Sequence, residues 1–191
     1  RSNKRATVFN NGVRNSILFK EDELSNGDIL MVTKNNYFWT KENKELSFIA
    51  NGDLLKVVRV KKHEEMYGFR FVNATVSIID KPDIELDLKL ILDSLQSDTP
   101  SLTRTQQQQL EQAVYEDYVD LTSHRAKLDK CKENPYLNAL QVKFGYAVTC
   151  HKAQGGQWQS IFIDQGYITE EMVDVEYFKW LYTAITRAQT K

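Results

Sequence analysis

The sequence is poor in cysteine, has no long hydrophobic run and carries almost no net charge. Its two cysteines, Cys131 and Cys150, do not form a spacing typical of a metal or redox site, and no signal-like stretch is present. We therefore expect reduced thiols and a cytoplasmic protein. No apolar run approaches the roughly 20 residues of a membrane span, so the sequence predicts no membrane association.

The balance of charge restricts the ways in which the protein could bind nucleic acid. The 25 basic and 26 acidic side chains leave a formal charge of -1, which argues against a broad basic surface. Any contact with nucleic acid is therefore expected in a local groove. The chain length of 191 residues allows a real core, and one domain with a small inserted domain is the expected organisation.

A strand pattern followed by a polar loop and a glycine pair dominates the last third of the sequence. Apolar side chains alternate from Leu140 to Val148, which predicts a strand. Gly155 and Gly156 end the polar loop, where they allow positive φ or close backbone approach to a ligand. A helix pattern near the C-terminus then holds Arg187 near its end, and a fixed guanidinium is a good clamp for phosphate oxygens.

Two heptads in this region resemble helicase motifs. Thr-Cys-His-Lys-Ala-Gln-Gly at 149–155 is similar to motif V, and Tyr-Thr-Ala-Ile-Thr-Arg-Ala at 182–188 is similar to motif VI, of superfamily 1 DNA helicases of the UvrD and RecD kind. Their order and spacing are similar too. The resemblance is closest to the RecD-like branch, with its exonuclease V alpha subunits, and extends more weakly over the whole chain.

The resemblance implies a motor that uses ATP to translocate on single-stranded DNA and to unwind a duplex. Arg187 would be the arginine finger that senses the γ-phosphate, and Gly155, Gly156 and Gln157 would lie toward the nucleotide. Many relatives have glutamate at the position of Gln157, and an amide can still bond a ribose hydroxyl but carries no charge. The residues implied on the DNA side are Thr149, His151, Lys152 and Gln154.

The phosphate-cradling P-loop, Gly-x-x-x-x-Gly-Lys-Ser/Thr, is absent from the sequence. The resemblance therefore implies that an upstream RecA-like domain binds most of the ATP and Mg²⁺. We expect the chain to be a C-terminal portion of a longer motor that does not hydrolyse ATP alone. No metal site is predicted in the chain itself.

Short strand patterns with glycine turns fill residues 25–91. Asn-Gly-Asp occurs at 26–28 and again at 51–53, and alternating segments surround a charged hairpin. Closing such a sheet removes its exposed edges, which favours a small barrel. RecD-like helicases carry an inserted SH3-like β-barrel at this place. It could guide single-stranded DNA or dock a partner protein, and the sequence leaves both roles open.

The flanking ranges 1–24 and 92–191 are predicted to form a second RecA-like motor domain, an α/β fold with a parallel sheet. Linking helices are expected at about 103–133, with Thr103 as the first N-cap. The apolar segment 160–164 is expected to be a buried strand of this sheet.

Some side chains keep two interpretations. Arg187, judged without its neighbours, is typical of a surface ion pair. Basic residues of the first helix, such as Arg14, either approach the nucleotide or lie on a solvated face. His151 has no second ligand at zinc spacing, and Cys150 beside it is expected to point inward, so neither a zinc site nor a Cys-His nucleophile is predicted.

Aromatic side chains add a further choice. Tyr37, Phe38 and Trp39 lie in an otherwise polar loop, where they either stack on bases or form a partner-binding patch. Trp158 could also stack on a base, but a place in the core or at a hinge is the expected one.

A function from another class also stays open. The chain could be a non-catalytic nucleic-acid- or protein-binding module that retains a degenerate motor fold. The full-length reading frame distinguishes the two hypotheses, because only a motor requires a P-loop upstream or on a neighbouring subunit.

Overall fold

The computed structural model describes residues 2–190 and contains a closed five-stranded barrel. Arg1 and Lys191, the ends of the two predicted ranges, lie outside the described residues. The strands are β1 (Ile29–Val32), β2 (Leu54–Met66), β3 (Phe69–Ile78), β4 (Lys81–Ile91) and β5 (Leu140–Phe144). The helices are α1 (Asn3–Gly12), α2 (Asp93–Gln96), α3 (Arg104–Glu116), α4 (His124–Glu133) and α5 (Val175–Ile185), with a π-helical turn at Val13–Ile17 and a 3-10 turn at Glu170–Met172.

The barrel closes through β5, which arrives from far along the chain. Strands β1 to β4 pair antiparallel in chain order, and β5 then pairs antiparallel with β1 and parallel with β4. Leu30 lies opposite Phe144, and Leu90 lies opposite Leu140. Both edges of the four-stranded sheet are thereby paired, which satisfies their backbone groups.

Alternating apolar side chains fill the barrel. In β4, Ile84, Leu86 and Leu88 point inward, while the intervening charged residues Glu85 and Asp87 face solvent. This period of two is the one a half-buried strand requires. At the tip of the β2–β3 hairpin, Tyr67 and Gly68 both adopt positive φ, as a two-residue turn between twisted strands demands.

A second apolar cluster lies outside the barrel, where α3 and α4 cover β3 and the end of β4. Phe71, Ile91, Leu110, Val114 and Cys131 are buried in it. The predicted N-cap Thr103 is confirmed. Its hydroxyl accepts from the backbone amide of Gln106, and the side-chain oxygen of Gln106 accepts from the backbone amide of Thr103.

The predicted RecA-like parallel sheet is wrong. The strand at 140–144, expected to open that sheet, closes the barrel instead, because β1 and β4 offer it two unpaired edges. The segment 160–164, expected as a buried strand, forms no strand, and its Phe162 is fully exposed. The only parallel strand pair within residues 2–190 is β4 with β5.

Residues 25–91 supply four of the five barrel strands. The short strands expected in this range are β1 to β4, but the fifth strand comes from the range that was assigned to the motor domain. In the part of the chain that the structure describes, no helix is long and apolar enough to cross a membrane.

Candidate functional site

The loop that follows β5 is fastened to the N-terminal helix at its first residues. The Asn10 side chain donates to the carbonyl of Ala147 and accepts from the amide of Ala147, both at 2.8 Å. Asn10 is buried, and its side-chain amide satisfies both backbone groups of Ala147, as a neighbouring strand would. The path of the chain into residues 148–157 is therefore fixed by α1.

A buried ion-pair network holds the same loop to the barrel. The carboxylate of Asp28 receives the Arg14 guanidinium at 3.0 and 3.1 Å, the Lys20 ammonium at 3.0 Å and the Tyr146 hydroxyl at 2.8 Å. Burial acts to raise the pKa of Asp28, but the hydrogen bonds from Arg14, the Ser25 amide, Tyr146 and Lys20 together hold it below its usual value. Burial and the Asp28 carboxylate raise the pKa of Tyr146 to about 12, so its hydroxyl stays a donor.

Arg14 also lies over the ring of Phe144, with its guanidinium carbon 4.2 Å from the ring centroid. The side chain is buried, and its guanidinium donates to Asp28 and to the carbonyl of Asp22. Both sequence interpretations of Arg14, a nucleotide contact and a solvated helix face, are therefore wrong for this side chain.

Residues 149–156 form a compact turn. The carbonyl of Thr149 accepts from the amides of Lys152 and Ala153 at 2.9 and 3.0 Å, and the amide of Gly156 donates to the carbonyl of Ala153. Gly155 has a φ of 86°, which a residue with a side chain rarely adopts. A β-carbon on Gly156 would lie 2.4 Å from the Trp158 ring, so this position requires glycine for space.

The end of α5 lies against this turn. The amide of Trp158 donates to the carbonyl of Arg187 at 2.9 Å, and the amide of Gln189 donates to the carbonyl of Trp158 at 2.8 Å. These two bonds form a short parallel bridge between the two heptad regions. The bridge places Trp158 beside residues 187–189, about 30 positions further along the chain.

Arg187 is held at that junction. Its guanidinium donates to the carbonyl of Thr183 at 3.1 Å, to the hydroxyl of Thr186 at 3.0 Å and to the carbonyl of Gly156 at 3.4 Å. The side chain is half-buried. The guanidinium and the glycine turn are therefore in direct contact.

A cleft of about 650 Å³ opens beside this contact. Its walls come from α1, the loop after β5, the segment 158–164 and α5. Arg5, Phe9, Thr149, Phe162, Trp180 and Arg187 are among the lining residues. The volume lies within the range of small-molecule sites. Two of the lining residues, Arg5 and Asp164, form a two-pronged ion pair, which lowers the pKa of the Asp164 carboxyl.

The residues predicted on the DNA side do not all share one surface. Thr149 lines the cleft, whereas His151 is exposed in a shallow pocket beside Met172 and Tyr177. Lys152 points to the barrel, and its ammonium donates to the side-chain oxygen of Asn51 at 2.5 Å.

Three further predicted positions lie at the outer edge of the turn. Gln154, Gly155 and Gln157 are exposed, and Gly156 beside them is half-buried under Trp158. The exposed amides of Gln154 and Gln157 have room for an external partner.

Cys150 is half-buried, and its sulfur donates to the carbonyl of Trp180 at 3.6 Å. Burial raises the pKa of the Cys150 thiol, which disfavours the thiolate that a nucleophile needs. Within residues 2–190, no group of three or more His, Cys, Asp or Glu side chains could hold a metal ion.

Sequence reasoning missed Asn10, Asp28 and Asn51 as parts of this region. A weak signal existed for Asn10, because asparagine is a poor helix former in the middle of an amphipathic pattern. Asp28 and Asn51 belong to the two Asn-Gly-Asp turns, but nothing in a turn sequence indicates which distant loop it contacts.

Comparison with known proteins gives a match to this region. Residues 144–191 match the family model of the UvrD-like helicase C-terminal domain. This part of the chain is similar to a helicase. The matched residues contain the turn at 149–156, the bridge at Trp158, α5 and Arg187, so the helicase-like region coincides with the contacts described above.

One relative covers almost the whole chain. An uncharacterized protein of Acanthamoeba polyphaga mimivirus is 25% identical across 99% of this chain. The chain spans 45% of the length of that relative. The comparisons support a UvrD-like helicase C-terminal region, while the RecD-like branch and the exonuclease V likeness stay predictions.

Proposed function

We propose that this chain is part of an ATP-dependent DNA helicase and supplies one side of its ATPase site. The proposal rests chiefly on one observation: the Arg187 guanidinium contacts the carbonyl of Gly156 inside the region that matches the helicase family. A cationic fork fixed beside a glycine turn suits the oxygens of a bound triphosphate.

Arg187 acts as the arginine finger in this proposal. Phosphoryl transfer depends mostly on positioning and on stabilising the charge that spreads over the transferred group. The bonds to Thr183 and Thr186 orient the guanidinium, while the longer bond to Gly156 is the one most easily exchanged for a phosphate oxygen. Gly155, Gly156 and Gln157 contact the nucleotide from the same side.

The phosphate cradle and the Mg²⁺-binding acid come from a P-loop domain elsewhere in the parent protein or its complex. The sequence has no P-loop, and residues 2–190 contain no three-carboxylate or mixed cluster suited to a metal. Bound ATP and Mg²⁺ supply the reactive phosphate and its charge neutralisation. This chain contributes the guanidinium and backbone groups that surround it.

Single-stranded DNA is the proposed track. Thr149, His151, Lys152 and Gln154 contact its backbone from different sides of the turn at 149–156, and the turn joins these contacts to the nucleotide side. Gly156 and Thr149 belong to one hydrogen-bonded turn, so a movement of the Arg187 guanidinium reaches the DNA-contacting residues through its bond to the Gly156 carbonyl and the backbone hydrogen bonds of the turn.

The test is the DNA-stimulated ATPase rate of the full-length parent. Arg187→Ala should lower kcat by about 10³–10⁵-fold with the fold unchanged, and Arg187→Lys should restore little, because an ammonium lacks the planar fork. Arg59→Ala is a matched control, since Arg59 is exposed on β2. A near-wild-type rate for Arg187→Ala would remove this arginine from the mechanism.

A second candidate function is a non-catalytic nucleic-acid- or protein-binding module. It is favoured by the three internal hydrogen bonds of Arg187, which give the guanidinium a structural role without any nucleotide. The reading frame of the parent decides between the two. A parent complex without any P-loop, which binds single-stranded DNA but hydrolyses no ATP, would support the binding module.

A further inference from the structure

A polar groove of about 240 Å³ lies on the barrel, away from the cleft at Arg187. One wall is the β1–β2 connection, with Lys34, Asn35, Tyr37, Phe38 and Lys41, and the other is the turn from α4 into β5, with Lys132 and Asn138. Three lysines and no carboxylate line it, although the chain as a whole carries a formal charge of -1. The Lys132 ammonium is paired with Asp129 at 3.0 Å, so Lys34 and Lys41 supply the charge of the groove. The groove is therefore a local concentration of positive charge.

The two walls are fastened to each other. The side-chain amide of Asn36 and the indole N–H of Trp39 both donate to the carbonyl of Asn138, at 2.9 and 2.8 Å. Asn138 in turn donates to the carbonyls of Lys132 and Asn134. The groove is thus held open by hydrogen bonds among its own residues, which gives it a fixed shape before any ligand binds.

An aromatic surface lies beside the lysines. Tyr37 is 60% exposed and stacks on Phe48 with ring centroids 5.1 Å apart, so one face is supported and the other is available. The Lys41 ammonium lies 4.6 Å from the centroid of the Phe38 ring. Trp39 packs against the barrel core and is not part of this surface.

The groove is continuous with the turn that carries the proposed DNA contacts. Lys152 donates to Asn51, and the amide of Asn51 donates to the side-chain oxygen of Asn35 at 2.7 Å. Asn35 lines the groove. A strand that leaves the turn at Lys152 can therefore reach the groove along adjoining polar residues.

We infer that this groove binds a single-stranded nucleic acid, with phosphates at Lys34 and Lys41 and a base stacked on Tyr37. The inference rests on the proposed function, because it extends the track beyond the turn at 149–156. Cationic grooves combined with stacking aromatic rings are the features that bind single strands without sequence preference.

The experiment measures binding of a labelled dT12 oligonucleotide to the 191-residue chain by fluorescence anisotropy over a salt series. Each single-strand phosphate contact contributes about 0.7 to the slope of log K against log salt, so Lys34→Ala combined with Lys41→Ala should lower that slope by about 1.4. Tyr37→Ala should weaken binding about 5- to 150-fold with little change in slope. Lys56→Ala combined with Lys81→Ala removes the same charge from exposed barrel positions outside the groove and should change both quantities little.

Each result supports or overturns the inference. Equal losses in the groove and control pairs, or no binding of dT12 by the wild-type chain, would overturn it. Poly-glutamate that displaces dT12 and binds more tightly would show that the groove receives an acidic protein instead. If Lys152→Ala weakens binding while the groove variants do not, the groove inference fails and the proposed function stands. If Arg187→Ala leaves the ATPase rate near wild type while the groove variants weaken binding of dT12, the proposed function fails and the groove inference stands.

Discussion

The guanidinium of Arg187 lies 3.4 Å from the carbonyl oxygen of Gly156, a residue 31 positions earlier in the chain. The backbone bridge between Trp158 and residues 187–189 fixes this approach, so it does not depend on the side chain alone. Two segments that resemble separate helicase motifs thereby form one unit. A substitution at Gly156 should therefore alter the position of Arg187, and a substitution at Arg187 should alter the turn at 149–156.

Gly156→Ala tests the geometry of this unit. A β-carbon at 156 would meet the Trp158 ring at 2.4 Å, so the ring or the turn must move. We expect a loss of about 1–3 kcal/mol in the free energy of unfolding, as for other overpacked sites. Urea unfolding measures it, and Trp158→Leu should relieve most of the loss in the double variant.

Gly12→Ala is the matched control for that substitution. Gly12 is exposed, has helical backbone angles and has nothing within 4 Å of the position that a β-carbon would take, so alanine should stabilise the chain by up to about 1 kcal/mol. A Gly156→Ala variant as stable as the wild type would contradict the tight approach of Trp158.

Asn10→Ala tests how α1 controls the loop after β5. The substitution leaves the amide and carbonyl of Ala147 without their buried partner, which should cost about 1–3 kcal/mol. Hydrogen exchange at the Ala147 amide should accelerate more than exchange within the barrel strands. Asn11→Ala, next to it in the helix, should cause no loss, because alanine is the better helix former.

Asp28→Asn tests the buried ion-pair network. The variant leaves the Arg14 guanidinium buried without its anion, and breaking such a pair typically costs about 3–5 kcal/mol. Asp87→Asn, which removes an exposed partner of Lys61, should cost less than about 1 kcal/mol. Equal losses in chemical unfolding would mean that the Arg14–Asp28 pair is solvated.

The sequence predicts features that depend on neighbouring residues better than contacts between residues far apart in the chain. The alternation of apolar residues in β4 and the cap at Thr103 are local signals, and both are confirmed. The pairing of β5 with β1 has no local signal. The alternating pattern of β5 suits a parallel sheet as well as a barrel, and the unpaired edges of β1 and β4 determine which one forms. In the candidate site, motifs in the sequence pointed to the turn at 149–155 and to Arg187. No motif pointed to Asn10, because its partner Ala147 lies 137 positions away in the chain.

The pH dependence of stability should be traceable to Glu64. This side chain accepts from the buried Lys89 ammonium, from the Tyr136 hydroxyl at 3.0 Å and from Lys62, and the bond from Lys89 is the main reason that its pKa falls from 4.5 to about 2. Because the folded pKa is the lower one, the folded state binds fewer protons than the unfolded state between these values. The stabilisation is therefore complete above pH 4.5 and is lost as the pH falls toward 2.

Glu64→Gln removes this titration. The variant should be less stable than the wild type at pH 7 by an amount on the order of 1–3 kcal/mol after solvent screening, and the difference should shrink as the pH drops from 4.5 toward 2. Glu85→Gln, at an exposed position of β4, should leave the wild-type profile unchanged. Urea midpoints at a series of pH values measure both variants. A Glu64→Gln difference that stays constant over this range would show that Lys89 is stabilised by its contact with the Tyr136 ring, 4.2 Å away, and not by the carboxylate.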